Sequence, residues 1–114
     1  MSTTKAQHFD SDSFKNAISN SSHPVLVDFH ADWCPPCKVL GPTIDALANE
    51  YAGRAQVGKV DIDANKDLAR EFNVRSIPTT LVFLDGEVVD RFVGIASKET
   101  LAQSLDSAAD NAAA

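Results

Sequence analysis

The stretch "HPVLVDFHADWCPPCK" (residues 23–38) constrains this chain more than any other. Its first half is a near-continuous apolar run, interrupted by Asp28. Such a run marks a strand buried on both faces, the kind that sits inside a sheet covered by helices. Directly after it come Cys34, Pro35, Pro36 and Cys37, and then a longer segment with Leu40, Ile44, Leu47 and Tyr51 on one helical face. Prolines are tolerated at a helix start because first-turn amides have no intrahelical partner. A buried strand therefore hands the only two cysteines of the chain to the first turn of a helix.

The rest alternates in the same way. "DSDSFKNAISN" offers Asp and Ser caps before Phe14 and Ile18, a short helix. "QVGKVDID" reads as a strand and "ANKDLAREFNV" as a helix with Leu68 and Phe72 inward. "TTLVFL" and "EVVDRFV" flank Asp85-Gly86, a strong hairpin signal. "SKETLAQSLDSAAD" closes as a helix capped by Ser97, and an edge strand is expected around Gln7–Phe9. Gly53 is placed to stop the long helix, and Pro42 to kink it. Helical crossovers imply parallel pairs and the hairpin an antiparallel one, so the expected fold is α/β, a central mixed sheet flanked by helices on both faces.

The 114 residues suit a single domain, with a core over about residues 6–109 and short flexible ends, "DNAAA" reading as a frayed tail. A net charge of −6 gives no basic footprint for nucleic acid or an anionic membrane. The apolar runs are too short to span a bilayer, and "MSTTKAQHFDSDSF" has no apolar export-signal core. A cytoplasmic monomer is the expectation; a signal removed upstream would leave the same pattern.

A disulfide closing a four-residue loop stabilises by only roughly 2 kcal/mol in the loop-entropy model. Stability is a poor reason for the pair, and reactivity a better one. Helix N-terminal amides and the helix dipole favour negative charge, which lowers a thiol pKa at Cys34. Cys37, one turn on, can reach it, so one cysteine attacks a disulfide and the other releases the mixed intermediate. Zinc requires four ligands, and His8, His23 and His30 lack the spacing to complete a set, so no metal is expected. Two inert buried cysteines are the structural alternative. Asp28, if it faces inward, is desolvated and suited to act as a base near neutral pH; if outward, it is an ordinary strand carboxylate. Pro35 and Pro36 stiffen the turn. Pro35 also removes an amide that could bond the Cys34 sulfur, which by itself raises the thiol pKa and makes the disulfide a weaker oxidant.

Together "VDFHADWCPPCK", "KVDID", "SIPTTLVFLDGE" and "FVGI" resemble the thioredoxin family in order and spacing, from about Phe9 to Ala108. The resemblance implies a thioredoxin fold and a protein-disulfide reductase with no bound cofactor. Cys34 would attack and Cys37 resolve, Asp28 would carry the proton of the resolving thiol, and Lys59 would neighbour that carboxylate. Pro78 would be the cis-proline facing the cysteines, exposing the backbone of Ile77 to an extended substrate. Trp33, Pro36, Ile77, Gly94 and Ile95 would complete a docking surface. Disulfide-containing target proteins and an NADPH-dependent thioredoxin reductase are the implied partners.

The chain departs from the family in three places. Pro35 stands where glycine is usual, which bears on the potential. His30 stands where tryptophan is usual, two residues after Asp28 on the same strand face, either as a second proton carrier or as a hydrogen-bonded filler. Ser76 replaces a glycine before "IPT" and is expected to matter little. Two other functions fit the same sequence. One is a disulfide oxidant or isomerase of an oxidising compartment, against which Pro36 argues, since histidine before the second cysteine is common there. The other is a non-catalytic binding module.

Overall fold

The computed structural model describes residues 5–113. The elements follow in the order β1 (Gln7–His8), α1 (Ser11–Asn20), β2 (Val25–His30), α2 (Pro35–Glu50), β3 (Gln56–Asp61), α3 (Lys66–Glu71), β4 (Thr79–Leu84), β5 (Glu87–Val93) and α4 (Lys98–Ala113). The strands form one five-stranded sheet in the order β1-β3-β2-β4-β5. β3 runs parallel to both β1 and β2, and β4 antiparallel to both β2 and β5, so the sheet is mixed as expected.

Local chemistry sets the boundaries. Asp10 caps α1 by accepting the Ser13 amide at 2.8 Å, while Ser13 Oγ accepts the Asp10 amide at 2.9 Å. Asp85 and Gly86 turn β4 into β5 with φ of 54° and 82°, the paired positive torsions of a type I′ turn. Gly53, with φ of 83°, lies in the turn just beyond α2. α2 runs through Pro42 without interruption. α3 is shorter than its sequence pattern suggests, because Phe72 closes it and Asn73 turns left-handed at φ 56°. Conversely, α4 continues through Asp110–Ala113, where a frayed tail is expected from sequence; the alanines there are the best helix formers. Ala114 and residues 1–4 lie outside the described residues.

Two cores form, one on each face of the sheet. Leu26 and Val82 meet Leu40, Ile44 and Leu47 of α2 and Leu101 and Leu105 of α4. On the other face Val25, Val27, Phe29, Leu81 and Phe83 meet Phe14 of α1 and Leu68 of α3. The Phe14 ring is set edge-on against those of Phe72 and Phe83 at 5.4 Å. Gly58 of β3 is required by the same packing, because a Cβ there would overlap the Phe9 ring.

The N-terminus of α4 is held by Ser97, whose Oγ accepts the Thr100 amide at 3.1 Å. Ser97→Ala is expected to cost about 1 kcal/mol, read as a lower denaturation midpoint with an unchanged m-value.

Candidate active site

β2 alternates between the two cores. Val25, Val27 and Phe29 point one way, and Leu26 and Asp28 the other, toward α2. His30 follows on that same side, and the strand ends against the start of α2. Cys34 is the N-cap of that helix in an extended conformation, and its Sγ accepts the Cys37 amide at 3.3 Å. Pro35 and Pro36 fill the first two helical positions and carry no N–H, so Cys37 supplies the first helix amide. The sulfur thus receives one amide where a helix start could offer more. Cys34 and Cys37 are joined by a disulfide, with their Cα atoms 5.3 Å apart. The pair is 4% and 5% exposed and packs with Ala31, Ile62 and Ile77.

Behind the pair lies a cleft of about 310 Å³, whose lining includes Cys37, Asp28, His30, Lys59 and Asp45. Asp28 is 1% exposed, and its Oδ1 is buried without a hydrogen-bond partner. Burial raises its pKa from 3.8 to about 7, against the pull of the Lys59 ammonium and with a smaller push from Asp45. The inward orientation needed for a base is therefore met. Lys59 lies directly beside Asp28 in the strand register, but its ion pair is with Asp45, at 3.4 Å.

The Nε2 of His30 is buried without a hydrogen-bond partner. Burial holds its imidazole pKa below the ordinary value, with Asp61 acting the other way. The His8 ring stands edge-on to it at 6.3 Å.

Three loops converge on the outer side of the cysteines. Cys34 Sγ lies 3.8 Å from the Ile77 carbonyl oxygen, the Ile77–Pro78 peptide is cis, and the Gly94 amide donates to the Pro78 carbonyl at 2.8 Å. Gly94 has φ of 91°, a torsion that favours glycine. Trp33 and Ile95 are 66% and 56% exposed, and Ile77 is half-buried. Trp33 is held by its Nε1–H, which donates to Asp63 at 2.8 Å. Pro35 and Pro36 are exposed at the same end. Ser76 is not among the positive-φ residues, so serine is accommodated there.

Asp45 and Asp63 escape a reading by sequence. Asp45 follows Cys37 by eight residues and Gly41 by four, a spacing that puts all three on one side of α2 and was there to be noticed. Asp63 has no such signal, because its partner Trp33 belongs to a different crossover. Among the described residues no group of three or more His, Cys, Asp or Glu is placed to hold a metal ion, and no helix is long and apolar enough to cross a membrane.

A disulfide spanning one helical turn does little to hold a chain of this size together; it is a bond placed to be broken and remade. An α/β sheet that delivers such a pair to a helix N-terminus, over a buried carboxyl, defines a dithiol–disulfide oxidoreductase. The family model for thioredoxin matches residues 5–107, and the chain belongs to the thioredoxin family. It is 46% identical over 93 residues to thioredoxin 1 of Synechococcus elongatus, covering 82% of this chain and 87% of that one. To thioredoxin 1 of a Nostoc species it is 45% identical over 101 residues, covering 89% and 94%. A solved mutant thioredoxin from Halobacterium salinarum superposes with a TM-score of 0.84 at 34% identity, over 96% of this chain and 95% of the other. The protein accordingly exchanges its dithiol–disulfide pair with disulfide-containing substrates.

Proposed function

We propose that the protein is a protein-disulfide reductase in which Cys34 attacks and Cys37 resolves. The observation that carries this is the asymmetry of the pair. Cys37 lines the cleft that holds Asp28, whereas Cys34 faces the Ile77 carbonyl beside exposed Trp33. The Cys34 thiolate attacks one sulfur of a target disulfide, forming a mixed disulfide and releasing the other target sulfur as a thiolate. The Cys37 thiol gives its proton to the Asp28 carboxylate. The resulting thiolate attacks Cys34 Sγ, forming the Cys34–Cys37 disulfide and expelling the second target thiolate. Two electrons pass from the pair to the target in each cycle.

The remaining residues support that cycle. Ile77, Pro78, Gly94, Ile95, Trp33 and Pro36 receive the extended target chain, and the Ile77 backbone pairs with it. Lys59 and His30 tune the proton chemistry, and Pro35 tunes the potential. The turn supports the reductive direction: with Pro35 and Pro36 at the first two helical positions, only the Cys37 amide reaches the Cys34 sulfur, and a less stabilised thiolate makes the reduced pair a better electron donor. By likeness to the family, an NADPH-dependent thioredoxin reductase returns the pair to the dithiol. The protein works as a cytoplasmic, monomeric single domain with its core over residues 6–109.

Equilibration of the pair against glutathione and dithiothreitol tests the direction. The expected potential is about −270 mV, the value known for thioredoxin, or lower. A potential of about −120 to −180 mV, the range of oxidants and isomerases, would reverse it.

A further inference from the structure

We propose that Asp45 is a positioning residue for this exchange: its carboxylate claims the Lys59 ammonium and keeps that charge from settling on Asp28. The inference rests on the reading of Asp28 as the proton acceptor for Cys37.

The geometry is specific. Asp28 and Lys59 are register partners on β2 and β3, and both line the cleft beneath α2. An ammonium beside a buried carboxylate would ordinarily pair with it. Lys59 instead meets Asp45 Oδ1 on α2 at 3.4 Å. That same oxygen accepts the Ala6 amide at 3.1 Å, so the carboxylate is fixed from a third segment of the chain. Gly41, one turn before Asp45 on α2, lies against the same ammonium, since a Cβ there would stand in ordinary contact with Lys59 Nζ at 3.7 Å.

The charged and titratable groups around Asp28 come from every neighbouring element. They are His8 of β1, His30 of its own strand, Lys59 of β3, Asp32 of the loop, and Cys37, Lys38 and Asp45 of α2. β4 contributes no charge, as its register partner for Asp28 is Thr80. Lys59 and Asp45 act on the Asp28 proton in opposite senses. Without Asp45 the ammonium is left beside Asp28, its register partner in the cleft. An opposite charge at contact lowers a carboxyl pKa by roughly 1–3 units, enough to leave Asp28 a poor proton acceptor near neutral pH.

The test is a carbon-13 carboxyl titration of Asp28 by NMR in the oxidised protein, where the thiols do not titrate. Asp45→Asn keeps the shape and an oxygen for the Ala6 amide while removing the charge. The Asp28 midpoint is expected to fall by about one pH unit or more, a tenfold loss of proton affinity, and Asp45→Glu is expected to restore it in part. In a Lys59→Met background the effect of Asp45→Asn should shrink sharply, because the ammonium that carries it is gone. An unmoved midpoint in Asp45→Asn overturns the proposal, and so does an equal fall with and without Lys59. A wild-type midpoint near 4 would instead sink the proton-acceptor reading of Asp28, with the shift between variants still reporting on Asp45.

Discussion

Cys37→Ser should turn the protein from a turnover catalyst into a trap. The Cys34 thiolate can still attack a target disulfide, but no second thiol is present to attack Cys34 Sγ. The mixed disulfide then persists and is seen as a covalent adduct by intact mass or on a non-reducing gel. Cys34→Ser should do the opposite, forming no adduct and reducing target disulfides no faster than the uncatalysed background, since a serine hydroxyl is not a thiolate. Both sulfurs are nearly enclosed, so the difference between the variants comes from where each one faces: Cys34 toward the Ile77 carbonyl, Cys37 into the cleft with Asp28. Adducts on Cys34→Ser and none on Cys37→Ser would exchange the two roles.

Asp28→Asn should make the protein more stable at high pH and no more stable at low pH. The sign follows from linkage. Asp28 is held protonated in the fold to about pH 7 but loses its proton near pH 3.8 when unfolded. Below pH 3.8 it is neutral in both states and costs nothing. Between pH 3.8 and 7 the unfolded chain releases the proton first, and stability falls by about 1.4 kcal/mol per pH unit. Above pH 7 the full loss of about 4 kcal/mol is reached. The Asn variant lacks this slope. Its unfolding free energy relative to wild type should therefore rise by about 4 kcal/mol from pH 4 to pH 8.5, measured by guanidinium titration of the oxidised proteins. A flat difference would mean that Asp28 is charged in the fold at all these pH values.

Most of the architecture is legible in the sequence because the strands carry it. The apolar run from Val25 to Phe29, interrupted only by Asp28, reads as a central strand, and Asp85-Gly86 as a hairpin turn. The inward face of Asp28 depends on period two and on knowing which face meets α2, so residues alone left it open. The ends of helices are where patterning misleads: Phe72 fits the stripe of α3, yet the chain turns left-handed at Asn73. The cleft is only half legible. His30 follows Asp28 by two on one strand, and that spacing shows. Asp45 and Lys59 meet across α2 and β3, and no local pattern records that meeting.

The place of β2 in the sheet has a consequence for how the molecule breathes. β2 is bonded along both edges, to β3 and to β4, and is buried on both faces, whereas β1 and β5 are each bonded along one edge. Backbone amides of Val27–Phe29 should therefore exchange their hydrogens with solvent only through opening of the whole molecule, while the free edge of β5 exchanges through local fraying. The redox turn is fastened to the part of the chain that opens last, so each catalytic cycle rearranges sulfur and protons against a frame that stays still.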